Sequence, residues 1–184
     1  MKYIIKPAAS LFLIAAITTT LIGLVHRLTL EPIADQHRRT QERTMREVLP
    51  QAGEFRELDV DLSGSMVRVY EGRRAGETAG YVIELVPTGY SGEIVMMVGI
   101  SRAENLISGM RILRHSETPG LGSHAARSTF YRRFDGRALR PLSVVKSYPG
   151  PDEIEAITSA TITTRALTYA VNEAIEWYNR GGFR

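Results

Sequence analysis

The chain has no cysteine. That absence removes disulfides, thiolate nucleophiles, haem attachment through a CxxCH sequence, iron–sulfur ligation and cysteine-based zinc sites together. Redox chemistry, if there is any, must therefore use a borrowed cofactor. Nucleotide signatures are missing too: the sequence contains neither a glycine-rich dinucleotide fingerprint nor a Walker sequence. It has no internal repeat and no low-complexity tract. Charge is present but not concentrated. The 23 Lys and Arg against 20 Asp and Glu leave a formal +3, and the arginines are interleaved with acids rather than gathered into a block, which argues against a nucleic-acid partner. A length of 184 residues suits one main core with accessories.

What is there begins with an apolar run. From Pro7 to Val25, "PAASLFLIAAITTTLIGLV" carries no charge, and at about 1.5 Å per residue it spans ~28 Å as a helix, close to the hydrocarbon thickness of a bilayer. Lys2 and Lys6 precede it and His26 and Arg27 follow. A cleaved signal peptide has a shorter apolar region and a small-residue cleavage site, and no convincing A-x-A follows this one. A buried soluble helix would normally be amphipathic, whereas this segment is apolar all round, with Thr18, Thr19 and Thr20 able to bond back to the helix. The reading is an uncleaved membrane anchor. Positive charge flanks both sides almost equally, with Arg38 and Arg39 close behind Arg27, so charge alone does not set the orientation.

"LEPIADQHRRTQERTMREVLP" follows, with Pro32 at a plausible first helical turn, mixed Arg and Glu, and Pro50 as a stop. It reads as a solvated helical stalk with too few apolar residues for a core; contact with anionic lipid is the other reading. From about Phe55 the period changes. "MVRVYE", "AGYVIELVPT", "GEIVMMVGI" and "ISGMRIL" read as strands separated by glycine-containing turns such as Gly72 to Gly76 and "TGYSG". The continuous "VMMV" implies a strand buried on both faces, its methionines filling gaps. Leu167, Ala170, Val171, Ala174, Ile175 and Tyr178 fall at helical spacing, so a closing amphipathic helix covers the sheet. The fold class is α+β.

Two stretches carry chemistry. In "RHSETPGLGSHAA", residues 114–126, Pro119 and Gly120 mark a tight turn and Gly122 permits a second close backbone approach. A loop of this shape can lie against a flat ligand, with Glu117 and Thr118 on its rim; it can equally be an ordinary connection. His115 and His124, nine residues apart, do not make a zinc pattern, and His115 with Glu117 is an unsupported acid/base pair. The second stretch is "ITSATITT", residues 157–164, just ahead of the closing helix, where unpaired backbone N–H groups and the dipole favour anions. Capping by Thr163 or Thr164 is the plain explanation. It does not account for so many hydroxyls beside the small residues Ser159 and Ala160.

The order of anchor, stalk, "GYSGEIVMMVGI", "HSETPGLG" and "AITSATITT" resembles RnfG, the FMN-binding member of the Rnf electron-transport complex. It is also similar to NqrC of the sodium-translocating NADH:quinone oxidoreductase, which shares the FMN-binding domain and is generally longer. In that family D-x-x-S-G-A-T carries FMN by a phosphoester to its last threonine, installed by a separate flavin transferase. By resemblance that threonine is Thr161; Glu155 stands at the Asp, Thr158 at the Ser and Ser159 at the Gly. Ala160, Thr163, Glu117, Thr118, Leu121 and Gly122 are the further residues expected at FMN.

The resemblance implies residues 1–27 as tail and transmembrane anchor, 28–52 as stalk and 53–184 as FMN-binding domain. It also implies a single-pass protein of the bacterial inner membrane, with a cytoplasmic N-terminus and an external flavin domain. Expected partners are membrane lipid, the membrane subunits A, D and E and the peripheral subunits B and C of the Rnf complex. The chain would be an electron relay between ferredoxin and NAD coupled to ion movement, not catalytic alone. The quinone-reductase role, and an adaptor that has lost its flavin, are the alternatives.

Overall fold

The computed structural model describes residues 2–183, with side chains at 5–29 and 35–183. The chain divides into two compact units, Met1–Thr40 and Gln41–Arg184. The helix α1 (Lys2–Val48) supplies the first unit and opens the second. Within the first unit, Ile5–Thr29 is long and apolar enough to cross a membrane, with a mean hydropathy of 2.2. Thr18 and Thr20 donate their hydroxyls to Ile14 O (2.8 Å) and Ala16 O (2.7 Å), so these polar side chains in the run are satisfied by the helix itself. Pro32 does not start a new helix as the sequence suggests; α1 runs through it. The good helix formers Ala34, Gln36, Arg38 and Arg39 that follow favour continuation.

The second unit is built on a five-stranded antiparallel meander: β1 (Glu54–Leu58), β2 (Met66–Arg74), β3 (Glu77–Leu85), β4 (Ile94–Ser101) and β5 (Leu106–His115), in that spatial order. The β2–β3 hairpin turns on Ala75 and Gly76 alone, both at positive φ (51° and 86°). Gly72, expected in that turn, lies inside β2. Alternation along the strands sends Val69, Tyr81, Ile83, Met96, Val98 and Ile100 to one face and Tyr70, Val82 and Met97 to the other. Central β4 is thus buried on both sides, as "VMMV" implies.

One face is covered by α3 (Thr161–Asn179), whose Leu167, Ala170, Val171, Ala174 and Ile175 are buried at helical spacing. Each fully buried aliphatic of leucine or isoleucine size contributes about 1.5–3 kcal/mol. The other face is covered by the last turns of α1. Met45, Val48, Leu49 and Ala52 are buried against Tyr70, Val82 and Met97. This corrects the reading of residues 28–52 as a wholly solvated stalk. Four apolar residues suffice because the sheet offers glycines to them: a Cβ on Gly99 would stand 2.1 Å from Val48 O, one on Gly72 2.5 Å from Leu49 Cδ2, and one on Gly109 3.1 Å from Val48 Cα. Gly72 pairs with Gly80 and Gly99 with Gly109 across the strands. At Gly99 and Gly109 the backbone of Val48 therefore lies directly on strand backbone, and at Gly72 and Gly80 the Leu49 side chain does. Ser108 Oγ donates to Val48 O, closing one of the helix's last carbonyls.

Beside this contact, Gln41 Nε2 donates to Tyr70 Oη (2.7 Å) and to Glu84 Oε2 (3.3 Å). Burial pushes the Glu84 carboxyl above its ordinary range, opposed by Arg68 at 3.9 Å.

After β5 come a 3₁₀ turn (Gly122–Ala126), a one-turn helix α2 (Ser128–Tyr131) and two three-residue parallel strands, β6 (Ser143–Val145) and β7 (Glu153–Glu155). They lead directly to the N-terminus of α3.

Candidate functional site

Glu117 is the hub. It follows β5, and its N–H donates to His115 Nδ1 at 3.2 Å. The carboxylate is almost fully buried, at 6 % exposure. Oε1 accepts the Ser91 N–H (3.0 Å) and Oε2 accepts the Thr163 hydroxyl (2.7 Å). These are neutral donors to a charged acceptor, each contributing about 1.5–3 kcal/mol against the cost of burying the charge. A Cβ on Gly122 would sit 2.0 Å from Oε2 and one on Gly89 2.4 Å from Oε1. The first glycine of "GYSG" and the second glycine of "PGLG" are therefore packing requirements imposed by one side chain. Ser91 Oγ lies 3.3 Å from Thr118 Oγ1, a second tie between the same two loops.

The turn itself is as the sequence implies. The Leu121 N–H donates to Thr118 O (3.1 Å) across Pro119 and Gly120, with Gly120 at φ 78°, the type II geometry.

At the N-terminus of α3 the threonines divide their duties. Ala160 occupies the N-cap position and provides no side-chain cap. Thr164 accepts the Ile157 N–H (3.0 Å) and donates to Ala160 O (3.1 Å). Thr163 is committed to Glu117. Neither caps the first-turn amides, so the plain capping explanation gives way, and those amides remain donors for an anion. Ser159 holds φ 64°, a conformation glycine adopts freely and serine at a cost of about 1–2 kcal/mol. That is the position at which the resembled pattern carries Gly. Thr161, half-buried, is the first residue of the helix.

A cavity of about 430 Å³ opens here, lined by Tyr90, Glu117, Thr118, Leu121, Gly122, Ser159, Ala160, Thr161, Ile162 and Thr163. Its size falls in the usual range of roughly 300–1,000 Å³ for small-molecule sites. Eight of the nine residues expected from the sequence meet in it. Thr158 does not: it is exposed and outside the lining. Glu155 is also outside, paired with Arg133 at 3.4 Å. Tyr90 and Ile162 add to the expected set. Tyr90 stands inside "GYSG", where the glycines are the more conspicuous residues; Ile162 is an apolar residue among hydroxyls at a solvent-facing helix position, a signal that a sequence can show. His115 meets Glu117 through backbone, not through its carboxylate, so no acid/base pair forms. Among the described residues no cluster of three or more His, Asp or Glu is placed to hold a metal.

A larger cavity, about 680 Å³, lies toward the other end of α3 and is lined by Asp59, Asp61, Glu173 and Glu176 among others. Its carboxylates and the negative end of the helix dipole disfavour a phosphate there. The smaller cavity offers the opposite: a helix N-terminus, a hydroxyl at the wall and an apolar lip of Tyr90, Leu121 and Ile162. Flavin mononucleotide, an anionic phosphate joined to a flat and largely apolar ring, suits that donor set.

Two family models match: the FMN-binding domain over residues 89–176 and the RnfG N-terminal region over residues 1–48. The chain is 34 % identical, over 96 % of its length and 92 % of the relative's, to the G subunit of the Na(+)-translocating ferredoxin:NAD(+) oxidoreductase complex of Acetobacterium woodii. It is 30 % identical, over 96 % and 95 %, to the G subunit of the ion-translocating oxidoreductase complex of Methanosarcina acetivorans. With the G subunit of the proton-translocating ferredoxin:NAD(+) oxidoreductase complex of Clostridium ljungdahlii it shares 31 % identity over 87 % and 83 %. In fold it is similar to NqrC of Shewanella oneidensis (TM-score 0.56, 16 % identity, 74 % of this chain and 92 % of that one). It also matches the C subunit of the Na(+)-translocating NADH-quinone reductase of Parabacteroides distasonis (TM-score 0.59, 18 % identity, 81 % and 95 %). The glycine-dependent burial of Glu117, the hydroxyl-lined helix start and near full-length kinship at 30 % identity and above point the same way: the chain belongs to the RnfG family of ion-translocating oxidoreductase complexes.

Proposed function

We propose that this chain is the membrane-anchored FMN-carrying subunit of an Rnf complex, with FMN held by a phosphoester to Thr161. The observation that carries the attachment site is the division of labour among the threonines. Thr163 and Thr164 are buried and committed to Glu117 and to backbone, and Thr158 lies away from the cavity, whereas Thr161 stands half-exposed at its wall. An ester there places the phosphate beside the first-turn amides of α3, where the dipole contributes about 0.3–1 kcal/mol at an exposed site. Attachment forms one O–P bond at Thr161 Oγ and releases the hydroxyl proton, while a leaving group departs from the phosphorus of an activated flavin donor presented by the flavin transferase. When bound, FMN supplies the redox chemistry that the cysteine-free chain lacks. The chain's own residues anchor the phosphate, hold the loops together through Glu117 and shape the lip.

The apolar helix of the first unit ties the chain to a membrane. We place its N-terminus in the cytoplasm and the flavin domain outside, among the membrane subunits A, D and E, with B and C peripheral. Relatives named for sodium and for proton translocation share this subunit, which suits a relay that does not itself choose the ion. The fold resemblance to NqrC keeps the quinone-reductase role as a second reading; the match of the N-terminal region to RnfG favours the Rnf complex. Denaturing electrophoresis of the chain, made in a host with the transferase, should show a protein-linked flavin fluorescence band. A dark band would reduce the chain to an adaptor.

A further inference from the structure

The rim of the 430 Å³ cavity carries an exposed aromatic residue. Tyr90 is 71 % exposed, yet its backbone is fixed on both sides. Gly89 N–H donates to Gly92 O at 2.8 Å, closing the turn, and the next residue, Ser91, gives its N–H to buried Glu117. A large aromatic side chain on a fixed base at the rim of a cavity leaves most of its ring available to a ligand in that cavity. Ile162, one residue after Thr161, lines the same cavity and is 57 % exposed. Two other well-exposed tyrosines differ in setting: Tyr169 lines the acidic cavity, whose carboxylates repel a flavin phosphate, and Tyr148 lines neither.

We infer that Tyr90 is the aromatic wall for the flavin ring, with Ile162 as a second apolar contact in the same cavity, so that these two residues position the ring after Thr161 has fixed the phosphate. The inference rests on the FMN reading above. The tether alone leaves the ring free to swing, because a phosphoester at Thr161 restrains only the far end of the ribityl chain. A tyrosine face supplies an offset-stacking surface, and the phenol adds a specific signature. The Tyr90 phenol, in contact with a bound flavin, would quench its emission by reversible electron donation, with no net chemistry.

The test uses the full chain from a host with the transferase, its flavin content confirmed by mass, with emission intensity and nanosecond anisotropy recorded for the unsubstituted protein, Tyr90→Phe, Tyr90→Ala and Ile162→Ala. Tyr90→Phe should keep the slow anisotropy decay while raising emission, since the ring contact remains and the electron donor is gone. Tyr90→Ala should raise emission and also lose the slow decay, the ratio of held to free ring falling about two- to ten-fold with one aromatic pair removed. Ile162→Ala should shorten the slow decay to a lesser extent. Equal emission and anisotropy in all four proteins would overturn the inference and leave FMN attachment standing. An unsubstituted chain without flavin mass would overturn both.

Discussion

The two faces of the sheet are covered by different means. The α3 face is a conventional side-chain interface, Leu167, Val171 and Ile175 with intervening alanines against the large aliphatics of the sheet, and its edge opens into the cavity at Thr161. The α1 face has few buried side chains and gains its contact by deletion: glycines in β2 and β3 admit the Leu49 side chain, and those in β4 and β5 admit the Val48 backbone. Glycine serves the cavity in the same way, since Gly89 and Gly122 make room for Glu117. On one face glycine admits a helix, at the other's edge it admits a charge. The second arrangement also carries the chemistry.

The comparison can be broken by substitution. Glu117→Ala should have the largest effect, removing about 2–4 kcal/mol of stability, because the Thr163 hydroxyl and the Ser91 N–H lose their acceptor inside a cavity. Urea denaturation measures the loss, and flavin content should fall with it. Gly99→Ala follows at about 1–3 kcal/mol, since its Cβ would meet Val48 O at 2.1 Å and the helix end must shift. Here the folded fraction should keep its flavin; equal loss of flavin would show that the two faces are coupled. Ser159→Gly should stabilise slightly, the relief of about 1–2 kcal/mol of strain at φ 64° being partly offset by about 0.5–1 kcal/mol of glycine chain entropy. A thermal melt reads that difference.

The smallest effect belongs to Glu84 on the α1 face. Burial raises its folded-state pKa above 4.5, so the folded chain binds that proton more tightly than the unfolded chain. Its favourable contribution is present below about pH 4.5 and is lost as pH rises through the raised folded value. Glu84→Gln should therefore raise Tm at neutral pH, with the gain shrinking toward zero in acid. A gain independent of pH would contradict this.

How much of the molecule is legible in the sequence follows from the same contrast. The α3 face is readable because Leu167, Ala170, Val171 and Ala174 repeat at helical spacing, and "VMMV" announces burial on both sides. The α1 face is not, because Met45, Val48, Leu49 and Ala52 are too few to mark a core helix and the complementary signal is the absence of side chains at Gly72, Gly80, Gly99 and Gly109. β6 and β7 escape notice because three residues carry no period. At the cavity, motif and resemblance name Thr161, Glu117 and Gly122, but Thr158 rests on alignment alone and lies outside. Tyr90 is hidden because an exposed aromatic in a glycine turn has no sequence signature distinct from a solvated loop.

On the proposed attachment, Thr161 and not its neighbours bears the flavin phosphate. Intact mass of the membrane-extracted chain tests it: the unsubstituted protein and Thr163→Ala should each carry one FMN, the latter in reduced yield, and Thr161→Ala none. An increment that survives Thr161→Ala, or one abolished only by Thr163→Ala, would place the flavin on another residue.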